Sequence, residues 1–188
     1  MAILPICITG EPVLHNVASE VERFDDDLKT LVEDMVETMH AAPGVGLAAP
    51  QVGLGLRLFV YSWEDEDGAL HEGTAVNPKL WITPTPTRAP HEDADAEGCL
   101  SIPGERAPLV RASEAILEAF DVNGEPFRVE AKGWFARILQ HEFDHLNGVL
   151  YADRLAQVHQ KKINKVIKQE HWGTPGISWT PGVDNLEG

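Results

Sequence analysis

Between Gly133 and Asn147 the chain keeps helical spacing, and the stripe it lays down mixes the apolar Trp134 and Ile138 with His141 and His145. Residues four apart share a helix face, so the two histidines can present ring nitrogens to one point, with Glu142 beside them. Gly148 is placed to end the helix. A helix whose apolar stripe carries these polar groups must be covered by the rest of the chain, and the histidines must find polar partners or a metal under that cover.

The flanking segments supply the cover. Phe24 to Ala42 places Leu28, Leu31, Val32, Met35, Val36 and Met39 three and four apart, a buried stripe with Asp25 or Asp26 as N-cap. Its methionines read as core filler. Pro43 and the glycines of APGVGLAAPQVGLG then break the period. Leu56–Tyr61 and Thr74–Trp81 read as strands, and Ala115–Asp121 with Pro126–Ala131 flank Asn123-Gly124, a signal for a hairpin with a tight primed turn. Glu64–Asp67 and Thr83–Asp95 read as surface loops, and Asp153–Gln169 as a last helix. The expectation is an α+β fold: one β-rich domain around a central metal-binding helix, with an N-terminal and a C-terminal helix. Residues 1–170 form the catalytic domain, and 171–188 an irregular tail.

At 188 residues, 43% hydrophobic and 24% charged, the chain can bury a core without staples, and it holds no apolar run of membrane-spanning length. Its first residues, MAILPICITGEPVLH, do not read as a secretion leader, which points to the cytoplasm. Two cysteines, Cys7 and Cys99, are too few for a disulfide framework. A net charge of −15 argues against a broad nucleic-acid surface, and against DNA as a partner. Of seven lysines, however, Lys161, Lys162, Lys165 and Lys168 lie close together, either as a solvated helix face or as a contact for an anionic partner.

His141, Glu142 and His145 fit H-E-x-x-H, the zinc-protease pattern, and Gly148 matches the glycine of its longer metzincin form. The distal histidine of that form is replaced by Tyr151. A catalytic metal usually takes three protein ligands, so another segment must provide one. Cys7, in the alternating AILPICITG, reads as a small core residue, and taken alone Cys99 in EGCLSIPG reads the same way. In GVGLAAPQVG, small residues allow backbone close to a ligand, and Gln51 offers an amide donor suited to an oxyanion; alternatively it is incidental to a glycine-shaped loop.

Taken together, GVGLAAPQ (Gly44–Gln51), EGCLS (Glu97–Ser101) and QHEFDH (Gln140–His145) resemble, in this order and spacing, the three signature motifs of bacterial peptide deformylases, over roughly Ile6 to Leu155. The resemblance implies Cys99, His141 and His145 as ligands to one divalent metal, typically Fe2+, with Ni2+, Co2+ or Zn2+ able to substitute. It implies Glu142 as acid and base, with the amide of Gln51 and the backbone N–H of Leu100 stabilising the oxyanion as formate is cut from N-formyl-methionyl peptides. Val45, Gly46 and Gly98 would pair with an extended substrate, and Leu100, Val45 and Ile138 would line an apolar methionine pocket. Arg137 departs from an apolar position in many relatives: either its stem walls the pocket or its head reaches the rim. Arg106 is a candidate substrate contact or a surface ion pair. Glu97 with Arg111 either holds the cysteine segment or is a plain salt bridge, and Asp144 either orients a ligand or is an exposed carboxylate. Pro50 restricts the backbone before Gln51.

Two other readings of H-E-x-x-H are an endopeptidase, opposed by Tyr151, and a metal staple without activity, opposed by Glu142. If the lysine cluster meets an anionic partner, ribosomal RNA is the expected one, because nascent substrate emerges at the ribosome.

Overall fold

The computed structural model describes residues 2–184, 186 and 187; positions 185 and 188 of the expected tail lie outside the described residues. Besides two 3-10 turns, Pro12–His15 and Ala49–Val52, the elements in chain order are β1 (Ile6–Cys7), α1 (Asp26–Ala41), β2 (Gly46–Ala48), β3 (Leu58–Glu64), β4 (Leu70–Ile82), β5 (Ala96–Cys99), β6 (Ile102–Pro108), β7 (Glu114–Phe120), β8 (Pro126–Lys132), α2 (Gly133–Leu146), α3 (Tyr151–Arg154), α4 (Gln157–Gln169) and β9 (Ser178–Trp179). An antiparallel sheet of order β2-β3-β4-β7-β8 is joined by two small ribbons, β5-β6 and β1-β9. This is the expected α+β arrangement.

The sheet separates α1 from α2. Along β3 four consecutive residues are buried, and they alternate between two cores because successive strand side chains point to opposite faces. Leu58 and Val60 join Leu28, Val32, Met35 and Met39 of α1. Phe59 and Tyr61 pack with Phe135, Ile138 and Leu139 of α2. Farther along the sheet only the α2 face is covered: Ala115, Leu117 and Ala119 of β7 point inward while Glu114, Glu118 and Phe120 are exposed. Each fully buried Leu or Phe contributes on the order of 1.5–3 kcal/mol, so α2 is fixed mainly by apolar packing, leaving its polar stripe free for chemistry. A third core, around Ile102, Leu150, Tyr151 and Ile163, joins the β5-β6 ribbon to the C-terminal helices.

Local signals for α1 and α2 hold. Asp25 is the N-cap of α1, accepting from the Leu28 backbone N–H at 3.1 Å. Gly148, at φ 70°, follows the end of α2. Three expectations need correction. The β7-β8 hairpin is present, but only Gly124 (φ 83°), and not Asn123, takes a positive φ. Gly124 N–H donates to Asp121 O at 3.0 Å, and the Asp121 carboxylate accepts from the Asn123 and Glu125 backbone, building a longer loop than a two-residue primed turn. The last helix does not start at Asp153: α3 ends at Arg154, and Leu155 and Ala156 take extended backbone before α4, with Leu155 buried in the third core. The tail is not wholly irregular, because Ser178–Trp179 pairs with Ile6–Cys7 and buries Trp179 in the α1 core. Burial of this ring offsets part of the chain entropy that docking the tail costs.

Candidate active site

His141, Glu142 and His145 are all buried on the inner side of α2. Cys99 reaches them from the end of β5, where the pairing with β6 shifts register between Gly98 and Cys99 and re-aims the side chain. Its Sγ lies 3.3 Å from His145 Nε2, which is 3.2 Å from His141 Nε2. The three donor atoms all lie within 4.8 Å of one another. One soft thiolate donor and two imidazoles converging this closely suit a transition metal or zinc, and leave room for a fourth ligand. One buried atom beside the cluster supports that fit, since Glu142 Oε2 has no hydrogen-bond partner.

The orientation of His141 is fixed from behind. Its Nδ1 donates to Glu97 Oε1 at 2.7 Å, which leaves Nε2 as the inward nitrogen, in the form able to ligate a metal. Glu97 is in turn gripped by Arg111 at 2.6 and 3.1 Å and by Arg137 at 2.9 Å. Arg111 continues to Asp144 at 2.6 Å, and Arg154 holds both oxygens of Asp144. Burial disfavours the Glu97 charge, but the bonds from His141 and Arg111 outweigh it and hold its carboxyl well below the usual range. Burial, and then the neighbouring His141, holds His145 well below the ordinary histidine range, which keeps it in the neutral form that ligates metal. Burial acts on Glu142 without comparable compensation and raises its carboxyl to about 7.

The glycine loop lies opposite. A Cβ on Gly46 would collide with the Glu142 carboxylate, so the loop approaches that group as closely as backbone can. Gln51, on the short 3-10 turn Ala49–Val52 that contains Pro50, accepts from Ala48 N–H at 2.9 Å through Oε1. That bond turns Nε2, the donor, toward Ser101 Oγ at 3.3 Å and Cys99 Sγ at 3.8 Å.

Residues 3–161 match the family model described as polypeptide deformylase. The chain belongs to the polypeptide deformylase family. It is 50% identical over 190 residues to the peptide deformylase of Tropheryma whipplei (strain TW08/27), covering 95% of this chain and 94% of that one. It is 47% identical over 189 residues to that of Mycolicibacterium paratuberculosis, covering 97% and 96% respectively. Among solved structures, the Synechococcus elongatus peptide deformylase in complex with actinonin matches with a TM-score of 0.76 at 36% identity, covering 93% of this chain and 92% of that one. The Thermus thermophilus peptide deformylase matches with a TM-score of 0.75 at 36% identity, covering 91% and 98%. The protein is therefore a hydrolase that removes the N-formyl group from nascent polypeptides. Its Cys-His-His cluster fits the single metal ion of such an enzyme.

In this deformylase a cavity of about 260 Å³ opens over the cluster. Every residue expected at the site lines it except His145, which lies beneath at 1% exposure. Val45, Leu100 and Ile138 provide its apolar part, Gly46 and Gly98 its backbone edges, and exposed Arg106 its rim. Arg137 resolves toward one of its alternatives: its stem lines the cavity while its head turns away to Asp95 at 3.1 Å, Glu97 and Leu109 O. Its guanidinium is therefore a structural cation rather than a free rim charge. Glu97 and Arg111 are a buried pair, not a surface one, and the buried Asp144 carboxylate bonds to Arg111 and Arg154. Asp95, expected in an exposed loop, is buried by these same contacts. Tyr151 is 1% exposed, its ring centroid 6.3 Å from that of His141 and its hydroxyl donating to Glu105 O at 3.0 Å, so it packs behind the cluster. Trp134, Glu105 and Glu187 also line the cavity without having been singled out. Trp134 lies one turn before Ile138 on the same stripe and could have been found; nothing in the sequence marks Glu187.

Proposed function

We propose that Cys99, His141 and His145 hold the metal and that Glu142 moves the proton in formyl hydrolysis. The observation carrying this reading is the convergence of one sulfur and two imidazole nitrogens beside a buried carboxylate oxygen that lacks a partner. A bound divalent metal supplies Lewis acidity that makes hydroxide available near neutral pH. Glu142 takes the proton of the attacking water as the bond to the formyl carbon forms. The amide of Gln51 and the backbone N–H of Leu100 meet the developing oxyanion, and being fixed beforehand they need no reorganisation. Glu142 then delivers its proton to the departing amine as the C–N bond breaks, releasing formate. A carboxyl raised to about 7 suits a group that must both accept and donate.

The substrate enters extended, pairing with the backbone of Val45, Gly46 and Gly98, with its methionine side chain against Val45, Leu100 and Ile138 and its following residues near Arg106. The Arg137 stem closes that wall. Ferrous iron is assigned as the native metal from the family resemblance, with Ni2+, Co2+ or Zn2+ as substitutes, because one thiolate and two imidazoles accept all four. Residues 1–170 act as the catalytic domain, and cytoplasmic placement follows from action on nascent chains. Among the described residues no helix is long and apolar enough to cross a membrane. Lys161, Lys162, Lys165 and Lys168 are exposed on α4, opposite buried Ile163, and form a face for ribosomal RNA. Loss of low-salt ribosome co-sedimentation on replacing all four with Gln is expected, and unchanged co-sedimentation would remove that assignment.

The main test compares formate release from formyl-methionyl peptides by the native protein and Glu142→Ala. The variant is expected to keep its metal and fold while losing turnover; retained turnover would reject the role of Glu142.

A further inference from the structure

Leu100 and Ser101 form the turn between β5 and β6, directly after the ligand Cys99. A two-residue turn has little rigidity of its own, and this one is tied down from three sides. The Thr9 backbone N–H donates to Ser101 O at 2.8 Å, and Gln51 Nε2 reaches Ser101 Oγ at 3.3 Å. The third tie comes from the C-terminal tail: the indole Nε1–H of Trp179 donates to Leu100 O at 2.9 Å. Trp179 is only 3% exposed and is pinned by pairing with Ile6 in β1, and Leu100 packs against the same apolar cluster. The tail residue is thus immobilised first, and its N–H then holds the Leu100 carbonyl.

We infer that Trp179 is a positioning residue for catalysis, setting the orientation of the Leu100 backbone through this hydrogen bond. The inference rests on the reading that the Leu100 N–H helps stabilise the oxyanion. The two peptide groups flanking Leu100 share its Cα, so fixing the carbonyl of one restricts the rotation that aims the N–H of the other. Oxyanion stabilisation depends on donors being in place before charge develops, so a freed turn loses rate rather than ground-state affinity.

The test is Trp179→Phe, which keeps an aromatic ring in the core and removes the N–H. Removal of a whole oxyanion donor costs about 100- to 1,000-fold in kcat, and misaiming one is expected to cost about tenfold. KM for a formyl-methionyl peptide and metal content per chain should stay at native values. Unchanged kcat would overturn the inference. So would a fall in kcat accompanied by metal loss, because the indole would then be holding Cys99 rather than aiming Leu100. Incorporating the α-hydroxy analogue of leucine at position 100, which removes only its backbone N–H, is measured in parallel: if it leaves kcat unchanged, the oxyanion reading itself fails, whatever Trp179→Phe does. Should Trp179→Phe not fold, site-specific replacement by benzothienylalanine, which keeps the indole shape without the N–H, gives the same readout.

Discussion

Replacing Glu97 by Gln changes one atom and one charge at the point where metal site and fold meet. The native carboxylate accepts from His141 Nδ1 and from the guanidiniums of Arg111 and Arg137, all within 3.1 Å. The amide can still accept on one oxygen, but its NH2 then faces cations that have lost their counter-charge. Breaking a buried ion pair costs about 3–5 kcal/mol. Arg111 keeps Asp144, and Arg137 keeps Asp95 and Leu109 O, so the cost in Glu97→Gln is expected near the lower end, about 3 kcal/mol. Loss of the carboxylate behind a ligating histidine also costs about 10- to 100-fold in metal affinity. The pH dependence has a definite sign. Because the folded-state pKa of Glu97 is depressed, its stabilisation is fully present above the ordinary value of 4.5 and is lost as pH falls toward the folded value. Urea unfolding of the metal-free proteins across that range, with chelator competition for Zn2+ or Co2+ at neutral pH, measures both effects. Glu97→Gln should flatten the acid limb and weaken metal binding together. Native metal affinity in this variant would refute the claim that Glu97 fixes the ligating nitrogen of His141.

Three further outcomes follow from the same geometry. Gly46→Ala should lower kcat/KM by at least about 100-fold, since the new methyl group must displace the Glu142 carboxylate or the loop, and steady-state formate release measures it. Glu142→Gln should stabilise the metal-free protein at pH 8 by up to about 3 kcal/mol. A buried carboxyl raised to about 7 opposes folding increasingly as pH climbs past 4.5, so urea titrations should show a gain below about 1 kcal/mol at pH 5 and most of it at pH 8. Cys99→Ser should reduce bound metal per chain, measured by elemental analysis, with little change in circular dichroism.

What the sequence made legible was local. The α2 stripe, the Asp25 cap and the pairing of β7 with β8 are written in neighbouring residues, and they reappear in the structure. The role of Cys99 was legible only through three motifs read together, because its register shift and its contact with His145, 46 residues away, leave no local trace. The ion-pair network was left between alternatives for the same reason. Arg137 meets Glu97 from 40 residues away, and composition alone does not distinguish a buried guanidinium from one at the rim. The tail was read as irregular because it is rich in Gly and Pro, while a single pairing with β1 and one buried indole suffice to dock it.

The chemistry of this centre depends first on its ligand set. X-ray absorption at the metal edge of the loaded protein should resolve one sulfur at about 2.3 Å and two imidazole nitrogens at about 2.0–2.1 Å. A shell of nitrogen and oxygen alone, with no sulfur, would contradict the assignment of Cys99 and with it the mechanism built on this centre.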